Sequence, residues 1–334
     1  MKLHILGICG TFMGGIAALA HELGHEVEGS DQNIYPPMSD QLAALGIALK
    51  SGYRAEHLGG ADPKQAPDLV IVGNALSRGN PAIEYVLDAR LPYISGPQWI
   101  GDELLVRRRV FAVAGTHGKT TTTAMLAWIL EACGRAPGFL VGGVPENFGV
   151  SARLGGTPLP ALGPQPSVLA DFVIEADEYD TAFFDKRSKF VHYHAQIAIL
   201  NNLEYDHADI FPDVAAIQRQ FHHLVRTVPG NGRLIVNAED ARLAEVLAMG
   251  VWSPVTSFGI DAGDWRARLI AADGSEFAVL HDGREIGVVC WPLIGRHNVM
   301  NALAALAAAE AGGADTATTI AALADFRSAK RRMN

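Results

Sequence analysis

The sequence has few cysteines and no long apolar run, and both absences narrow the classes of protein that it can encode. Only three cysteines occur in 334 residues, Cys9, Cys133 and Cys290, and none stands in a CxxC or Cys/His ligand spacing. A zinc site is therefore not expected, and an odd, sparse set of cysteines is typical of a reducing compartment. No stretch approaches the ~18–20 apolar residues of a membrane-spanning helix.

Charge and the N-terminal residues exclude further classes. The formal net charge of −9 argues against a general affinity for nucleic acid or for an anionic membrane. A phosphorylated small ligand is still compatible, because a few local cations suffice to bind it. The apolar run in MKLHILGICG is too short, and too soon interrupted by glycine, for a signal peptide. We therefore expect a cytoplasmic globular protein whose length corresponds to two domains.

Alternating strand and helix patterns predict an α/β fold. The strand KLHILGI, a glycine turn, the helical segment GGIAALAHELGHEV and the strand EVEGSD form a βαβ unit. Further strands are predicted at PDLVIVGNAL and LPYIS, with a helix over residues 80–88. We predict a Rossmann-like, doubly wound domain over residues 1–106, with GPQWIGDELLVRRR as a linker that contains a short helix.

A second α/β domain, of the P-loop type, is predicted over residues 107–334. Its strands are predicted at VFAVAG, DFVIEAD, QIAILNN and GRLIVNAED, and its helices after GTHGK, near residues 214–224 and at GRHNVMNALAALAAAEAGG. Turn residues over 252–291 predict a small antiparallel β portion. The proline-rich TPLPALGPQPSVLA predicts a surface insertion loop.

The first glycine loop, GICGTFMGG, joins a strand to a helix, where dinucleotide-binding folds hold phosphate. Cys9 stands at the second glycine of the G-x-G-x-x-G fingerprint, which weakens an NAD interpretation. Asp31 ends the next strand, where a ribose contact is usual. Three interpretations stay open: a tight turn without ligand, an NAD site, and a site for a different nucleotide diphosphate.

The second glycine loop, AGTHGKTTTT, also lies between a strand and a helix, but its glycine spacing is not that of the common P-loop. Gly115 and Gly118 let the backbone curl around an anion, and Lys119 supplies a charge for the β- and γ-phosphates. Thr120 occupies the position whose hydroxyl usually contacts Mg²⁺. Threonine is also favoured at helix caps, so a structural cap is the alternative.

Carboxylates follow two predicted strands at the edge where α/β sheets bind ligands. The candidates are Glu175, Asp177, Glu178 and Asp180 in VIEADEYD, and Glu204, Asp206, His207 and Asp209 in NNLEYDHADIF. Oxygen ligands of this kind suit Mg²⁺. His207 could bind a metal or act as an acid or base. The alternatives are a solvated acidic turn and a structural histidine.

Four motifs in this order resemble the Mur ligases, the ATP-dependent ligases of bacterial cell-wall synthesis. The motifs are GTHGKTTT, EADEYD, NNLEYDH and GRHNVMNALAA, behind an N-terminal GICGTFMGG and GSD, and they span nearly the whole chain. In this resemblance GTHGKTT is the family's own phosphate loop. Stretches such as GSDQNIYPPMS, FDKRSKFVHY and FHHLVRTVPG are most similar to the branch that joins a murein tripeptide, L-Ala-γ-D-Glu-meso-diaminopimelate, to UDP-N-acetylmuramate. The branch that adds L-alanine to the same nucleotide sugar is the alternative.

The resemblance implies roles for individual positions, with ATP and Mg²⁺ as cofactors. The implied catalytic residues are Lys119, Glu175 and His207, and the implied metal ligands are Thr120, Glu175 and His207. ATP binding is implied for Gly115, Thr116, His117, Gly118, Lys119, Thr120, Thr121, His297, Asn298 and Arg331. Binding of the UDP-sugar is implied for Gly7, Gly10, Thr11, Gly14, Ser30 and Asp31.

Two departures from the family pattern affect these expectations. Several Mur ligases carry a carbamylated lysine after the DH motif, but here that region reads IQRQFHHLV, so no carbamylation is expected. The sequence also stops at FRSAKRRMN, where the family's third, acceptor-binding domain begins. The resemblance thus implies a fragment or truncated product with little turnover of its own, or a nucleotide-sugar-binding module without ligase activity. An NAD oxidoreductase, which the first loop alone suggests, leaves Lys119 and Glu175 without a role.

Overall fold

Two β-sheets with helices on both faces organise the chain, of which the computed structural model describes residues 1–60, 62–156, 169–205 and 211–330. The α/β class and the order of the two units are those predicted from the sequence. Most of the proline-rich stretch predicted as an insertion loop, residues 157–168, lies outside the described residues.

The first sheet has five parallel strands in the order β3-β2-β1-β4-β5. The elements of this part are β1 (Lys2–Leu6), α1 (Thr11–Glu22), β2 (Glu26–Asp31), α2 (Met38–Ala44), β3 (Ala48–Ser51), β4 (Leu69–Val72), α3 (Pro81–Asp88), β5 (Tyr93–Ser95) and α4 (Gly96–Glu103). Alternate residues of β1 face opposite sides, so Leu3 and Ile5 pack with α1, while Leu6 packs with α3. This arrangement is the doubly wound fold that the sequence predicts.

The second sheet has ten strands in the order β18-β17-β16-β15-β14-β13-β6-β10-β7-β9. The ten strands of this sheet are β6 (Arg109–Ala114), β7 (Gly138–Leu140), β9 (Ala152–Arg153), β10 (Asp171–Ala176), β13 (Ile197–Leu200), β14 (Arg233–Asn237), β15 (Val255–Phe258), β16 (Trp265–Leu269), β17 (Glu276–His281) and β18 (Arg284–Cys290). Four short strands of this part lie outside the sheet: β8 (Val144–Pro145), β11 (Asp180–Ala182), β12 (Asp185–Ser188) and β19 (Ala329–Lys330). Its helices are α5 (Lys119–Ala132), α6 (Val214–Thr227), α7 (Ala241–Ala248), α8 (Arg296–Ala311) and α9 (Thr316–Ala322).

One expectation for the second sheet is only partly correct. The sequence predicts antiparallel strands throughout residues 252–291, and β16, β17 and β18 do pair antiparallel. The strand β15, in the same stretch, instead runs parallel to β14. The reason is that α7 connects the two strands as a crossover helix, and a crossover returns the chain in the same direction.

Helix α4, which the sequence predicts within a linker, is packed firmly between the two sheets. Trp99 and Ile100 are 2% and 0% exposed, and they belong to one continuous core that contains residues of both sheets, such as Leu3 and Val110. Gly101 lies so close to the central part that a Cβ there would be 2.2 Å from the carbonyl oxygen of His192. The segment is therefore a rigid junction.

Helix α8 is rich in alanine and leucine and is buried along most of its sixteen residues. Its side chains pack into the core formed with α5 and the central strands. Among the described residues, no helix is long and apolar enough to cross a membrane. The apolar character of α8 is thus explained by its place inside the protein.

Candidate functional site

The second glycine loop lies at the carboxyl end of β6, between its parallel neighbours β10 and β13. Gly118 begins α5 with a φ of +78°, a left-handed conformation that favours glycine. A Cβ at Gly118 would also lie 2.6 Å from Oδ1 of Asn301 and 2.9 Å from Nδ2 of Asn201. Both the backbone and the crowded surroundings therefore require a glycine at this position.

Two asparagines that directly follow β13 and one asparagine of α8 fix the shape of this loop. Nδ2 of Asn201 donates to Oδ1 of Asn301 at 2.9 Å and to the carbonyl oxygen of His117 at 3.3 Å. Oδ1 of Asn202 accepts from the backbone N–H of His117 at 2.7 Å. The Asn-Asn pair of NNLEYDH has no role assigned from the sequence. The signal is its position directly after a buried strand, at the edge where the loop lies.

Lys119 is held inside the loop by oxygen atoms. Its Nζ donates to the carbonyl oxygen of Gly115 at 2.7 Å and to Oε2 of Glu178 at 3.2 Å. The side chain is only 11% exposed. The ammonium group is thus held near the N-terminus of α5, close to the loop in which a phosphate would bind.

Glu175, at the end of β10, faces the first turn of α5. Oγ1 of Thr120 donates to Oε1 of Glu175 at 2.9 Å, and the backbone N–H of Gly142 donates to Oε2 at 2.7 Å. Burial, together with the charge of the nearby Asp177, raises the pKa of Glu175 to about 7, against the lowering effect of these hydrogen bonds and of Lys119. Near neutral pH this carboxyl group can therefore exchange a proton for a cation.

The donor set fits a hard divalent cation better than a soft one. The hydroxyl of Thr120 and the carboxylate of Glu175 put two oxygen atoms side by side at the start of α5. No group of three or more His, Cys, Asp or Glu side chains that could bind a metal occurs in the described part of the chain. Mg²⁺ commonly takes only one or two protein oxygens and completes its shell with water and phosphate.

A cleft of about 1330 Å³ lies in front of the loop and is open to both parts of the chain. It contains most of the predicted ATP-binding positions together with one position of the first glycine loop. The predicted residues that line it are Thr11, Thr116, His117, Gly118, Lys119, Thr120, Thr121, Glu175, His297 and Asn298. Residues predicted from separate motifs thus line the same cleft.

The cleft also has walls that the sequence analysis does not identify. The segment after β2 contributes Tyr35 and Pro36, the first residue of α2 contributes Met38, and the turn after β7 contributes Gly142 and Gly143. The first two of these lie in GSDQNIYPPMS, a stretch that carries the family resemblance but in which these residues have no site role assigned from the sequence. The third lies in none of the quoted motifs, and it reaches the cleft through the packing of its neighbours.

Several residues predicted to bind the UDP-sugar make contacts within the fold and are not among the residues that line the cleft. Oδ2 of Asp31 accepts from the backbone N–H of Cys9 at 2.9 Å, which holds the loop in place. Ser30 is fully buried, and its hydroxyl is hydrogen-bonded to Nε2 of His4 at 2.8 Å and to Nδ1 of His57 at 3.0 Å. Gly14 allows close packing, since a Cβ there would lie 2.2 Å from Sδ of Met38.

The other predicted residues divide into two groups. Gly7 and Gly10 shape the turn before α1, where the N–H of Gly10 donates to the carbonyl oxygen of Gly7 at 3.2 Å, and Gly115 places its carbonyl oxygen on Lys119. His207 and Arg331 lie outside the described residues, so the roles predicted for them stay predictions.

Comparison with known families assigns both parts of the chain. The family described as Mur ligase family, catalytic domain, matches residues 2–108, and the Mur ligase middle domain matches residues 113–309. The chain belongs to the Mur ligase family. This Mur ligase is 56% identical to the UDP-N-acetylmuramate–L-alanyl-gamma-D-glutamyl-meso-2,6-diaminoheptandioate ligase of Escherichia coli, over 100% of this chain and 69% of the relative.

Similarity to other Mur ligases separates two branches. The crystal structure of the UDP-N-acetylmuramate:L-alanyl-gamma-D-glutamyl-meso-diaminopimelate ligase from Neisseria meningitides superposes with a TM-score of 0.91 at 55% identity, covering 99% of this chain and 100% of that one. The UDP-N-acetylmuramate–L-alanine ligase of Rubrobacter xylanophilus is 32% identical over 99% of this chain and 68% of the relative. The tripeptide-adding relatives are therefore much more similar to this Mur ligase.

Proposed function

We propose that this Mur ligase joins L-alanyl-γ-D-glutamyl-meso-diaminopimelate to UDP-N-acetylmuramate in an ATP-dependent, Mg²⁺-dependent amide ligation of peptidoglycan recycling. The observation that carries the proposal is the 56% identity across the whole chain to an E. coli ligase named for this reaction. The 32% identity to an L-alanine ligase makes addition of L-alanine the second candidate. The cleft supports both, because they share the nucleotide sugar and ATP.

The two parts of the chain divide the binding of substrates in this proposal. Residues 1–106 hold the UDP-sugar and residues 107–334 hold ATP. The N-terminus of α1 supports the first assignment: its cap is Gly10, with no side-chain cap and no acidic residue in the first turn, which leaves backbone N–H groups for a diphosphate. Thr11 lies at this terminus and lines the same cleft as Lys119, so the two ligands would meet there.

The chain's own residues would prepare the phosphates for transfer. When bound, ATP supplies the γ-phosphoryl group that converts the muramyl carboxylate to an acyl phosphate, and Mg²⁺ offsets the charge of the phosphates. Lys119 offers its ammonium to the β- and γ-phosphates, where negative charge builds up during transfer. Thr120 and Glu175 would hold the cation beside them, and His207 is proposed as a third ligand.

The second half of the reaction depends on exclusion of water. The free amine of the tripeptide attacks the activated carbonyl, a tetrahedral intermediate forms, and phosphate leaves. Water would compete with the amine for the acyl phosphate, so the cleft must be closed while the intermediate exists.

His297 and Asn298, on the first turn of α8, are proposed to contact the nucleoside of ATP at the cleft wall.

Phosphate release tests the proposal. The chain alone, and the chain joined to the part of the E. coli relative beyond the match, are assayed with ATP, Mg²⁺, UDP-N-acetylmuramate and either tripeptide or L-alanine. We expect release that depends on the tripeptide in the joined protein, little in the chain alone, and none in a Lys119→Met variant. Preference for L-alanine would overturn the assignment of the tripeptide as the acceptor. Binding of UDP-N-acetylmuramate without any release would favour a binding module, and binding of NAD would overturn the class of enzyme.

A further inference from the structure

Asp177 lies between two lysines that are both almost buried. Its Oδ1 is 3.8 Å from Nζ of Lys119, and its Oδ2 is 3.6 Å from Nζ of Lys189. The two lysine side chains are 11% and 8% exposed. Charges that are removed from water in this way interact more strongly than exposed charges. The carboxylate of Asp177 is therefore shared, and each lysine competes with the other for it.

The position of Lys189 is fixed by the fold. It follows the hairpin β11–β12, and its backbone N–H donates to the carbonyl oxygen of Tyr179 at 3.0 Å. Its ammonium lies 5.0 Å from the ring centre of Phe12 and 5.6 Å from that of Tyr179, within range of a cation–π interaction. Phe12 belongs to α1, directly after Thr11. Lys189 is thus held where the first glycine loop meets the acidic end of β10.

Without ATP, Lys119 faces carboxylates that compete with the phosphates for it. Glu178 accepts a hydrogen bond from it at 3.2 Å, and Asp177 is the next carboxylate at 3.8 Å. Phosphates can occupy the loop only if Lys119 turns toward them instead. A second cation beside Asp177 weakens one of the two competitors, because it offsets that negative charge.

We propose that Lys189 is a positioning residue for ATP: it holds the carboxylate of Asp177 and so leaves Lys119 to the phosphates. The inference rests on the proposed function, since it requires ATP in the second loop. Removal of the Lys189 charge would leave Asp177 to Lys119 alone. It would also add one uncompensated negative charge beside the phosphates.

The dissociation constant of Mg²⁺–ATP, measured by calorimetry on the whole chain, tests the proposal. Lys189→Met keeps a long, unbranched side chain but removes the charge, and we expect affinity to fall about tenfold. Lys189→Arg keeps the charge and should bind close to the wild type. Combining Lys189→Met with Asp177→Asn removes both charges and should restore most of the lost affinity. Lys186→Met, an exposed lysine on the same hairpin, is the matched control and should change nothing.

Restoration by Asp177→Asn separates an electrostatic role from a packing role, because a packing defect at Lys189 would persist in the double variant. Unchanged affinity in Lys189→Met, or a double variant as weak as the single one, overturns the proposal. If urea titration shows that the Lys189→Met variant is unfolded, the Lys189→Gln variant is measured in its place, with the same expected loss of affinity. Failure of the wild-type chain to bind ATP would overturn the proposed function itself, whereas failure of the Lys189 variants alone overturns only this inference.

Discussion

Replacement of Gly118 by alanine tests how far the asparagines after β13 and in α8 determine the loop. The left-handed φ of +78° at this position costs an L-residue about 1–2 kcal/mol. The new Cβ would also lie 2.6 Å from Oδ1 of Asn301, so the hydrogen bond between Asn301 and Asn201 must shift or break. Both side chains are buried, and a buried polar group without its partner costs about 1–3 kcal/mol.

Gly134, just beyond the other end of α5, provides a matched control. Its φ is +71°, but a Cβ there would meet nothing within 4 Å. Gly134→Ala should therefore lower the free energy of unfolding by only the backbone cost of about 1–2 kcal/mol. Gly118→Ala should lower it by roughly 2–5 kcal/mol, the sum of the backbone and hydrogen-bond costs, and should also weaken ATP binding.

Urea unfolding of the two variants measures this difference, and calorimetry measures ATP binding. In an Asn301→Ala background the excess cost at Gly118 should shrink toward that at Gly134, because the closer of the two contacts, that with Oδ1 of Asn301, no longer exists. Equal destabilisation by the two glycine substitutions would refute the reasoning. It would show that the hydrogen bond between the two asparagines can be displaced without a cost in free energy, and that the pair does not determine the conformation of the loop.

Three further predictions concern the cleft and the junction. Lys119→Met should abolish measurable ATP binding, and intact binding would contradict the role of the loop. The pKa of Glu175 is raised to about 7, so below pH 7 a metal must displace a proton from it. The apparent Mg²⁺ affinity in the ATP complex should therefore fall about fivefold from pH 7 to pH 6, as the deprotonated fraction of Glu175 falls, and a Glu175→Gln variant should lose this dependence. In Gly101→Ala the new Cβ would lie 2.2 Å from the carbonyl oxygen of His192. We therefore expect this variant to lose more than 2 kcal/mol of stability, roughly the cost of overpacking. A smaller loss in urea unfolding would contradict a rigid junction.

The strand–loop–helix units could be predicted because their signals are local. The apolar strand before Gly115 and the helical pattern after Lys119 lie within one continuous stretch, so sequence spacing describes them well. The helix predicted over residues 80–88 is likewise found as α3, with Asn80 accepting from two backbone N–H groups at its start. Short elements such as α2 and β3 carry too few residues for a periodic pattern, and the sequence analysis misses them.

The asparagine contacts could not be predicted because they depend on which strands become neighbours. Asn201 reaches the loop only because β13 pairs with β6, and Asn301 reaches it only because α8 crosses the same edge. The direction of β15 depends in the same way on α7, a helix that the sequence analysis does not identify. The burial of α4 follows from contacts with both sheets at once. The composition of its segment resembles that of a linker, so composition alone does not predict this burial.

The continuous core that runs through α4 has a consequence for how the two nucleotide sites work together. Leu3 on one side, Trp99 in the junction and Val110 on the other side belong to the same set of packed side chains. Close-packed interiors have low compressibility and transmit strain. We therefore expect the distance between the two glycine loops to be set when the chain folds. In kinetic terms, the sugar nucleotide and ATP would arrive at a gap of fixed width, and the order in which they bind would be decided by mutual obstruction rather than by movement of one site toward the other.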